Sequence, residues 1–460
     1  MEPALVKLIA ILLLGAIPAL LDTTIVNVAI DTIGRDLHAT VSAIQWVITG
    51  YLLSFGMVIP FSGWALARFG GRAIWLFALT VFLAGSVLSG AAWNIGSLIV
   101  FRVLQGLGGG MLLPLLTTML TQAAGGRQLG RLMASVSLPI AVVPVFGPVL
   151  SGLIIDHFSW RWIFYVNVPI CLAGLVLAWR GLPRDAGQVE RPHLDLLGLA
   201  LLCPALALLL YGLAEVSATA GFGHPRVIVP LAAGAALLAA FVLHALRSAR
   251  PPAVDLRLFR QRSFACASSL LFLAGLSIYG AMLLLPLFFQ QARGYTPLAA
   301  GLLLVPQGVG SILPRTLAGR VTDRLGPRPV VLAGVVLAAL GTVPFALTGL
   351  QHNNIVLCAA LVVRGAGLGA ATIAVMAGAF QGLDRQDLPH ASSATRIMQQ
   401  VGGAFGAAVL VVILASQGAG GAALAYGHTF WWCVGFTGLA VVPALLLPAR
   451  RAEQSPAKAG

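Results

Sequence analysis

Two short stretches of this chain are near copies of each other and decide how it folds. Residues 63–72 read GWALARFGGR, and residues 319–328 read GRVTDRLGPR. Gly, Arg, Gly and Arg recur in register, at positions 63, 68, 70 and 72 and again at 319, 324, 326 and 328. Each stretch joins two long apolar segments, so we interpret the two as matching loops of a duplicated unit.

A second pair of landmarks follows the two loops in the same order. Arg102 opens the stretch RVLQGLGGG and Arg364 opens RGAGLGAA, each at the start of a glycine-rich apolar segment. The two pairs of landmarks are 256 and 262 residues apart. We therefore predict two six-helix halves in which these two arginines are equivalent. Repeated halves with a site between them are typical of secondary transporters.

The composition places most of the chain in lipid. Of the 460 residues, 59% are hydrophobic and only 9% are charged, whereas a soluble domain carries about 25% charged residues. Apolar residues recur in blocks of about 20, the length at which a helix spans a bilayer. The alternation of transmembrane β-strands is missing. The five Cys lie in or beside these blocks without metal-ligand spacing, so we interpret them as packing residues.

We predict an all-α membrane protein with fourteen transmembrane helices. The predicted spans are 6–30, 42–65, 73–92, 96–119, 132–155, 162–180, 196–215, 227–247, 264–289, 298–318, 329–349, 354–379, 393–415 and 428–448. If the N and C termini are both cytoplasmic, the outer segments carry four basic residues: Arg35, Arg161, Arg226 and Arg293. Apart from the two intramembrane arginines, every other Lys and Arg falls on the cytoplasmic side, as the positive-inside rule requires. This distribution explains the net charge of +14 without a nucleic-acid partner.

The predicted spans divide the chain into four parts. Residues 1–180 form an N-terminal six-helix bundle, and residues 264–448 form a C-terminal one. Residues 181–263 form a linker with two extra transmembrane helices, which we expect to pack outside the two halves. Residues 449–460 form a cytoplasmic tail.

Several motifs in order give the chain a resemblance to a known family. They are LDTTIVNVAI (21–30), GWALARFGGR (63–72), RVLQGLGGG (102–110), PVFGPVLSG (144–152) and WRWIFYVNVP (160–169), with DLRLFRQRSF (255–264) and RGYTPLAAGLLLVPQG (293–308) in the second half. They resemble motifs of the major facilitator superfamily, in its fourteen-helix drug:proton antiporter branch. The resemblance covers essentially the whole chain. It implies the major facilitator fold, with two six-helix bundles plus two inserted helices.

The resemblance also implies a function. A member of this branch is a multidrug-efflux antiporter of the inner (cytoplasmic) cell membrane that exports small amphipathic compounds by alternating access. The resemblance implies a monomer that needs no cofactor, because the proton gradient supplies the energy. Some members work with periplasmic partner proteins. The chain also lacks a G-x-x-x-x-G-K loop, which excludes ATP as the energy source.

One position departs from the family's loop motif. The fifth residue of that motif is usually acidic, but here it is Ala67, whereas the second copy keeps Asp323. In the family this acid helps to hold the cytoplasmic side closed, so we expect the gate to depend on Asp323 with its neighbouring arginines. The residues predicted to take part in gating are Gly63, Arg68, Gly70, Arg72, Gly147, Pro148, Gly152, Gly319, Asp323, Arg324, Gly326, Arg328 and Arg364.

Asp22 is the one acidic residue in the middle of a predicted span. An ionised Asp at that depth costs about 2.5–3.5 kcal/mol on insertion scales, so it is kept for a partner or a function. Asp22 lies about 12 Å below the outer end of its helix and Arg102 about 9 Å below the end of its own, at about 1.5 Å per residue. Because these depths are comparable, and the first and fourth helices are neighbours in the fold that the resemblance implies, we predict a proton-coupling site of Asp22, Arg102 and Gln105. A static structural pair is the alternative, although buried ion pairs stabilise poorly.

Polar residues in or near other spans are candidates for the substrate cavity, since such side chains face the protein interior or water. They are Asn27, Trp46, Tyr51, Asn167, Tyr279, Gln307, Gln399 and Gln400. For each of them, hydrogen bonding between helices is an equally good interpretation.

Other functions stay open from the sequence. A narrow-specificity exporter of a metabolite, antibiotic or siderophore, or an importer of the same fold, has the same features. A non-transporting membrane sensor would have no use for two gate loops. A membrane enzyme would need a nucleophile or a metal set, and no H-E-x-x-H or Cys/His cluster occurs.

Overall fold

The structure is a computed structural model of the chain. It describes residues 3–39, 41–124, 132, 135–136, 143, 147, 150–151, 153–155, 157–183, 195–219, 221–248, 254–295, 297–347, 353–384, 387–417 and 422–447. The predicted span 132–155 therefore lies largely outside the described residues.

The described residues form helices joined by short connections. The first half contains α1 (Pro3–Asp36), α2 (Val41–Met57), α3 (Ile59–Phe69), α4 (Gly71–Gly90), α5 (Ile95–Ala124), α6 (Trp162–Tyr165) and α7 (Asn167–Gly181). The inserted pair is α8 (Leu196–Thr219) and α9 (Pro225–Arg247). The second half contains a 3-10 helix (Leu256–Arg260), α10 (Arg262–Leu287), a π-helical turn (Phe288–Ala292), α11 (Pro297–Ile312), α12 (Arg315–Leu325), α13 (Pro327–Ala346), α14 (Asn354–Ala379), α15 (Leu388–Ser416), α16 (Ala422–Leu439) and α17 (Val441–Leu446).

The helices are long and apolar enough for a multi-pass membrane protein. Among the described residues, 11 helices could each cross a bilayer, or 12 spans if the bent pair α2–α3 counts as one. The predicted span 298–318 is divided between α11 and α12, and each is too short to span alone. The count of fourteen and the cytoplasmic termini stay predictions.

The two matching stretches, 63–72 and 319–328, are helical rather than loops, which corrects the sequence interpretation. Helices α3 and α12 continue to Phe69 and Leu325, and the chain turns at single glycines. Gly70 has φ 84° and Gly326 has φ 87°, a region that residues with a Cβ rarely adopt. The predicted span 42–65 is also broken, because α2 and α3 meet at Val58 with a bend of 46°.

The duplication is visible in the helix bounds. Helices α3 and α12 both have 11 residues, and α4 and α13 both have 20. Corresponding bounds differ by 256 residues, as in 59 and 315 or 71 and 327. The predicted repeat of the gate loops is therefore confirmed as a repeat of helix, glycine turn and helix.

The two intramembrane arginines are not equivalent, which corrects the second landmark. A Cβ on Gly108 would overlap the backbone of Phe82, and a Cβ on Gly367 would overlap that of Ala338. Phe82 and Ala338 are 256 residues apart, but Gly108 and Gly367 are 259 apart. With this register, the counterpart of Arg364 is Gln105 on α5. An alignment that matches the two arginines is therefore wrong by three residues, which is about one helical turn.

The inserted helix α8 packs against both halves. It contacts α2 and α3 of the first half and α15 of the second. Tyr211 of α8 stacks on Trp46 with ring centroids 5.5 Å apart. Leu213 and Val216 share an apolar cluster with Ala408 of α15. The inserted helix α8 therefore contacts both halves, and the expectation that the pair packs outside them stays a prediction.

A tight seam joins the two halves at the ends that carry the glycine turns. There α15 packs against α3 and α5. A Cβ on Gly63 would lie 3.3 Å from the carbonyl oxygen of Pro389, so glycine lets the two helices approach. Ser393 donates to the Ile59 carbonyl at 3.3 Å, and Ser392 donates to the Pro114 carbonyl at 3.0 Å.

Candidate functional site

The structure brings Asp22, Arg102 and Gln105 together, as the helix depths predict. Arg102 Nη1 lies 2.5 Å from Asp22 Oδ2 and also donates to Gln105 Oε1 at 2.8 Å. Gln105 Nε2 donates to Asp22 Oδ1 at 3.0 Å. All three residues are at most 1% exposed. Each carboxylate oxygen therefore has its own donor, and the charge of the acid is balanced by one cation.

Helix α2 holds the Arg102 guanidinium from the other side. Arg102 Nε donates to the carbonyl oxygen of Val47 at 3.2 Å. The guanidinium carbon lies 4.0 Å from the centroid of the Tyr51 ring, in cation–π geometry. Loss of the Asp22 charge would leave Arg102 with neutral partners, which are the Val47 carbonyl, the Tyr51 ring and Gln105 Oε1.

Local sequence explains why the pair is buried. Arg102 and Gln105 are three residues apart and so lie on one face of α5. A Cβ on Gly85 would lie 2.6 Å from the Cα of Gln105, so the glycine lets α4 cover this face closely. The buried charge is thus enclosed by close helix packing on the α4 side.

In the second half, the position that corresponds to Gln105 carries the cation Arg364, without an acidic partner among the described residues. Arg364 donates to Thr342 Oγ1 at 3.2 Å, to Gln307 Oε1 at 2.9 Å and to the Ser277 carbonyl at 3.0 Å. The second-half segments Arg262–Ala292, Pro327–Ala346, Asn354–Ala379, Leu388–Ser416 and Leu424–Leu446 contain no Asp or Glu. Among the described residues, the buried acid–base pair is therefore a feature of the first half alone.

The predicted cavity residues fall into two groups. Tyr51 and Asn167 are buried inside the first half and do not line an open cavity in this structure. Trp46 is 40% exposed, and partly buried residues of the second half are Tyr279, Gln307, Gln399 and Gln400. The side chain of Asn27 lies outside the described part of the chain. A role in binding cargo stays a prediction for all of them.

The predicted gating residues are spread along the helix ends. Gly63 lies in the seam, and a Cβ on Gly147 would overlap Thr24 of α1. Arg72 donates to the carbonyl of Trp179 at 2.5 Å, at the end of α7. Buried residues of this set are Gly63, Gly147, Gly319, Gly326 and Arg364, partly buried ones are Arg68, Gly70, Arg72, Asp323 and Arg328, and Arg324 is exposed. Pro148 and Gly152 lie outside the described residues, and the Asp323 gate stays a prediction.

Sequence reasoning missed one cation at membrane depth. Arg396 was assigned to a cytoplasmic segment, but α15 begins at Leu388 and places Arg396 about two turns inside it. It lies on the same helix face as Ser392 and Ser393 of the seam. Its Nη1 donates to Gln399 at 2.8 Å, and its buried Nε has no hydrogen-bond partner among the described residues. Pro389, two residues after Asp387, is a helix-start signal that could have shown this.

A second carboxylate ties the other end of α1 to the start of α6. Trp160 Nε1 donates to Asp36 Oδ2 at 2.7 Å, and Arg161 donates to the same oxygen at 3.2 Å. The bond from Trp160, followed by the bond and charge of Arg161, holds the pKa of Asp36 below its usual range. The Asp36 side chain is 50% exposed, so solvent weakens the pair.

Asp36 therefore gives a pH-dependent contribution to stability. Because its folded-state pKa is lowered, the contribution is present above the unfolded-state pKa, about 3.9, and is lost as the pH falls through the folded-state value. We expect Asp36→Asn to lower the melting temperature slightly at pH 7. The difference from the wild type should shrink as the pH falls below about 4. Thermal unfolding of purified protein across this range would measure it, and a pH-independent difference would contradict the assignment.

The comparisons with known proteins identify the family of the chain. The sequence pattern of the Major Facilitator Superfamily matches residues 12–407 and 270–459. The chain belongs to this superfamily. It is 38% identical over 419 residues to the "Multidrug resistance protein B homolog" of Mycobacterium tuberculosis, covering 91% of this chain and 77% of the relative. It is 28% identical over 413 residues to the "Lincomycin resistance protein LmrB" of Bacillus subtilis, covering 89% and 85%.

The solved structures support the fold. The proton:xylose symporter XylE aligns with a TM-score of 0.66 at 15% identity and covers 95% of this chain and 94% of its own. This likeness shows the major facilitator fold, and the relatives place the chain in the multidrug-resistance branch of the superfamily. The family is one of transporters, not of enzymes. In the part of the chain that is described, no group of three or more His, Cys, Asp or Glu could hold a metal ion.

Proposed function

We propose that this transporter is a proton-coupled antiporter that exports small amphipathic compounds across the cytoplasmic membrane. The observation that carries the proposal is the Asp22–Arg102–Gln105 cluster, a single titratable acid buried with its cation in one half. A buried ion pair contributes little stability for its desolvation cost, so exchange of a proton is the better reason to keep it.

Alternating access follows from how the cluster is connected to the seam. Helix α5 carries Arg102 at one level and Pro114, an acceptor of the seam, twelve residues further on, about 18 Å away. Protonation of Asp22 breaks the charge balance of Arg102 and changes what holds α5 against α1. Movement of α5 then loosens or tightens the seam, so that proton and cargo take turns.

The proposal includes a membrane topology. With fourteen spans and both termini in the cytoplasm, the seam of α15 against α3 and α5 lies on the cytoplasmic side and closes it. The two six-helix bundles, 1–180 and 264–448, then rock against each other, with 181–263 as the inserted linker. The transporter works as a monomer without a cofactor, and a periplasmic partner protein is not needed for the exchange itself.

Asp22→Asn is expected to abolish transport driven by a pH gradient. The amide keeps the size and hydrogen-bonding capacity of the side chain but cannot ionise, so cargo movement is no longer tied to the proton. The measurement is efflux of a fluorescent cationic dye from proteoliposomes with an imposed pH gradient.

The matched control is Asp36→Asn, which removes an acid from the same helix and should leave the transport rate within about two-fold. An inserted Asp22→Asn protein with full gradient-driven efflux would overturn the proposal. A screen of antibiotics and dyes in the same vesicles separates broad export from transport of a single compound.

A further inference from the structure

The hydrogen-bond chain around Asp22 extends well beyond the three predicted residues. Gln105 Nε2 donates both to Asp22 Oδ1 and, at 3.2 Å, to Ser86 Oγ. Ser86 Oγ also accepts from Asn167 Nδ2 at 3.1 Å and donates to the Phe164 carbonyl at 2.9 Å. The chain therefore runs from α1 through α5 and α4 to α7, entirely within the first half.

This chain fixes which way the Gln105 amide faces. A hydroxyl has one hydrogen and two lone pairs, and Ser86 uses all three. Ser86 can therefore only accept from Gln105, which keeps the Nε2 group at the Asp22 side. Turned by 180°, the amide would place its oxygen against the carboxylate and its N–H groups against the Arg102 cation.

Asn167 is an unfavourable residue if its only role is to pack against its neighbours. It is completely buried, and within the described part of the chain its Oδ1 has no hydrogen-bond partner. An unsatisfied buried acceptor destabilises the folded protein, whereas an apolar residue of the same shape would not. What Asn167 does provide is the N–H that occupies a lone pair of Ser86.

The second half uses the same helix frame without this chain. Thr342 lies 256 residues after Ser86 and occupies the matching place, but Arg364 replaces Gln105 as its donor. The counterpart of Ser89, one turn along α4, is Phe345, which packs on Phe430 with ring centroids 5.3 Å apart. The fold therefore does not require polar side chains at both of these positions of α4.

We propose that Ser86 and Asn167 are positioning residues that set the proton affinity of Asp22 by fixing the Gln105 amide. This inference rests on the proposed function, in which Asp22 exchanges the proton. Other groups that face Asp22 are Arg102 from α5, Tyr51 from α2 and Cys171 from α7. Substitution of Ser86 or Asn167 leaves these groups in place, so its effect reports on Gln105.

The experiment is an infrared titration of the full-length protein in detergent. The carbonyl stretch of a protonated carboxyl group is followed against pH, and the band that Asp22→Asn removes identifies Asp22. Ser86→Ala frees the Gln105 amide and weakens its bond to the carboxylate form. We expect the midpoint to move upward by about one pH unit, a ten-fold change in proton affinity.

Two further variants separate positioning from a general loss of structure. Ser86→Thr keeps the hydroxyl, as its counterpart Thr342 does, and should return the midpoint to the wild-type value. Ser268→Ala removes a buried hydroxyl of α10 for which the described residues offer no hydrogen-bond partner, and should not move the midpoint. Asn167→Leu should shift it in the same direction as Ser86→Ala, and replaces that variant in the test if Ser86→Ala does not fold.

The outcomes distinguish this inference from the proposed function. If Asp22 titrates and drives transport but both Ser86→Ala and Asn167→Leu keep the wild-type midpoint, the positioning role is overturned alone. If Asp22→Asn removes no titrating band and leaves gradient-driven efflux intact, the proposed function falls, and the positioning role falls with it.

Discussion

Arg102→Leu is expected to destabilise the protein by about 3–5 kcal/mol, because it leaves the Asp22 carboxylate buried without its cation. Gln105 and Tyr51 would be the remaining donors beside it. Neutral donors cannot compensate a full charge at 1% exposure. Thermal unfolding in detergent, followed by loss of the monodisperse peak in size-exclusion chromatography, measures the change.

The double variant Asp22→Leu with Arg102→Leu tests whether the lost stability comes from the unpaired charge. It replaces a buried ion pair with apolar side chains, a change that is often neutral for stability. We expect most of the lost stability to return, while gradient-driven transport stays absent. A double variant that is stable and still transports with full coupling would show that the pair only holds α1 and α5 together.

The meeting of Asp22 and Arg102 could be predicted because helix geometry fixes depth. A rise of about 1.5 Å per residue converts sequence position into height in the bilayer, and two opposite charges at one height pair when their helices are neighbours. Ser86 could not be found this way. A serine in an apolar span has too small an insertion cost to stand out in the sequence. Its hydrogen-bond partners also lie on three different helices.

The register of the repeat could not be predicted from identical residues in the two halves. Arg102 and Arg364 each follow a gate motif and open a glycine-rich helix, yet the packing of Gly108 and Gly367 shifts the register by three residues. Which residues match is decided by where a neighbouring backbone comes close, and close approach depends on the whole helix pair. The counterpart of Arg102 is accordingly the buried, apolar Leu361.

Hydropathy also could not place the inserted helices or the glycine turns. An apolar span can face lipid or protein equally well, so nothing in α8 shows that Leu213 meets Ala408. The gate stretches resemble loops by composition, since they combine glycine with charge. They form helices because a polar helix end can reach water, and one glycine at positive φ suffices for the turn.

Gly110→Ala is expected to cause the largest loss of folded protein among single-methyl changes in the first half. A Cβ at this position would overlap the carbonyl oxygen of Phe55 on α2, and a backbone atom cannot move aside as a side-chain tip can. Overpacking of this kind costs about 1–3 kcal/mol or more. Helix α2 would have to move away from α5, which also pulls the Val47 carbonyl from Arg102.

Gly435→Ala is the matched control for this effect. It makes the same change in the middle of α16, where a Cβ meets no atom within 4 Å. Because alanine is the better helix former by about 0.8–1.0 kcal/mol, this variant should be as stable as the wild type or slightly more so. Melting temperature and yield of monodisperse protein are compared for the two variants. Equal behaviour would mean that the closeness of α2 and α5 is not what keeps the charged pair buried, and that the site tolerates a wider gap than its hydrogen bonds suggest.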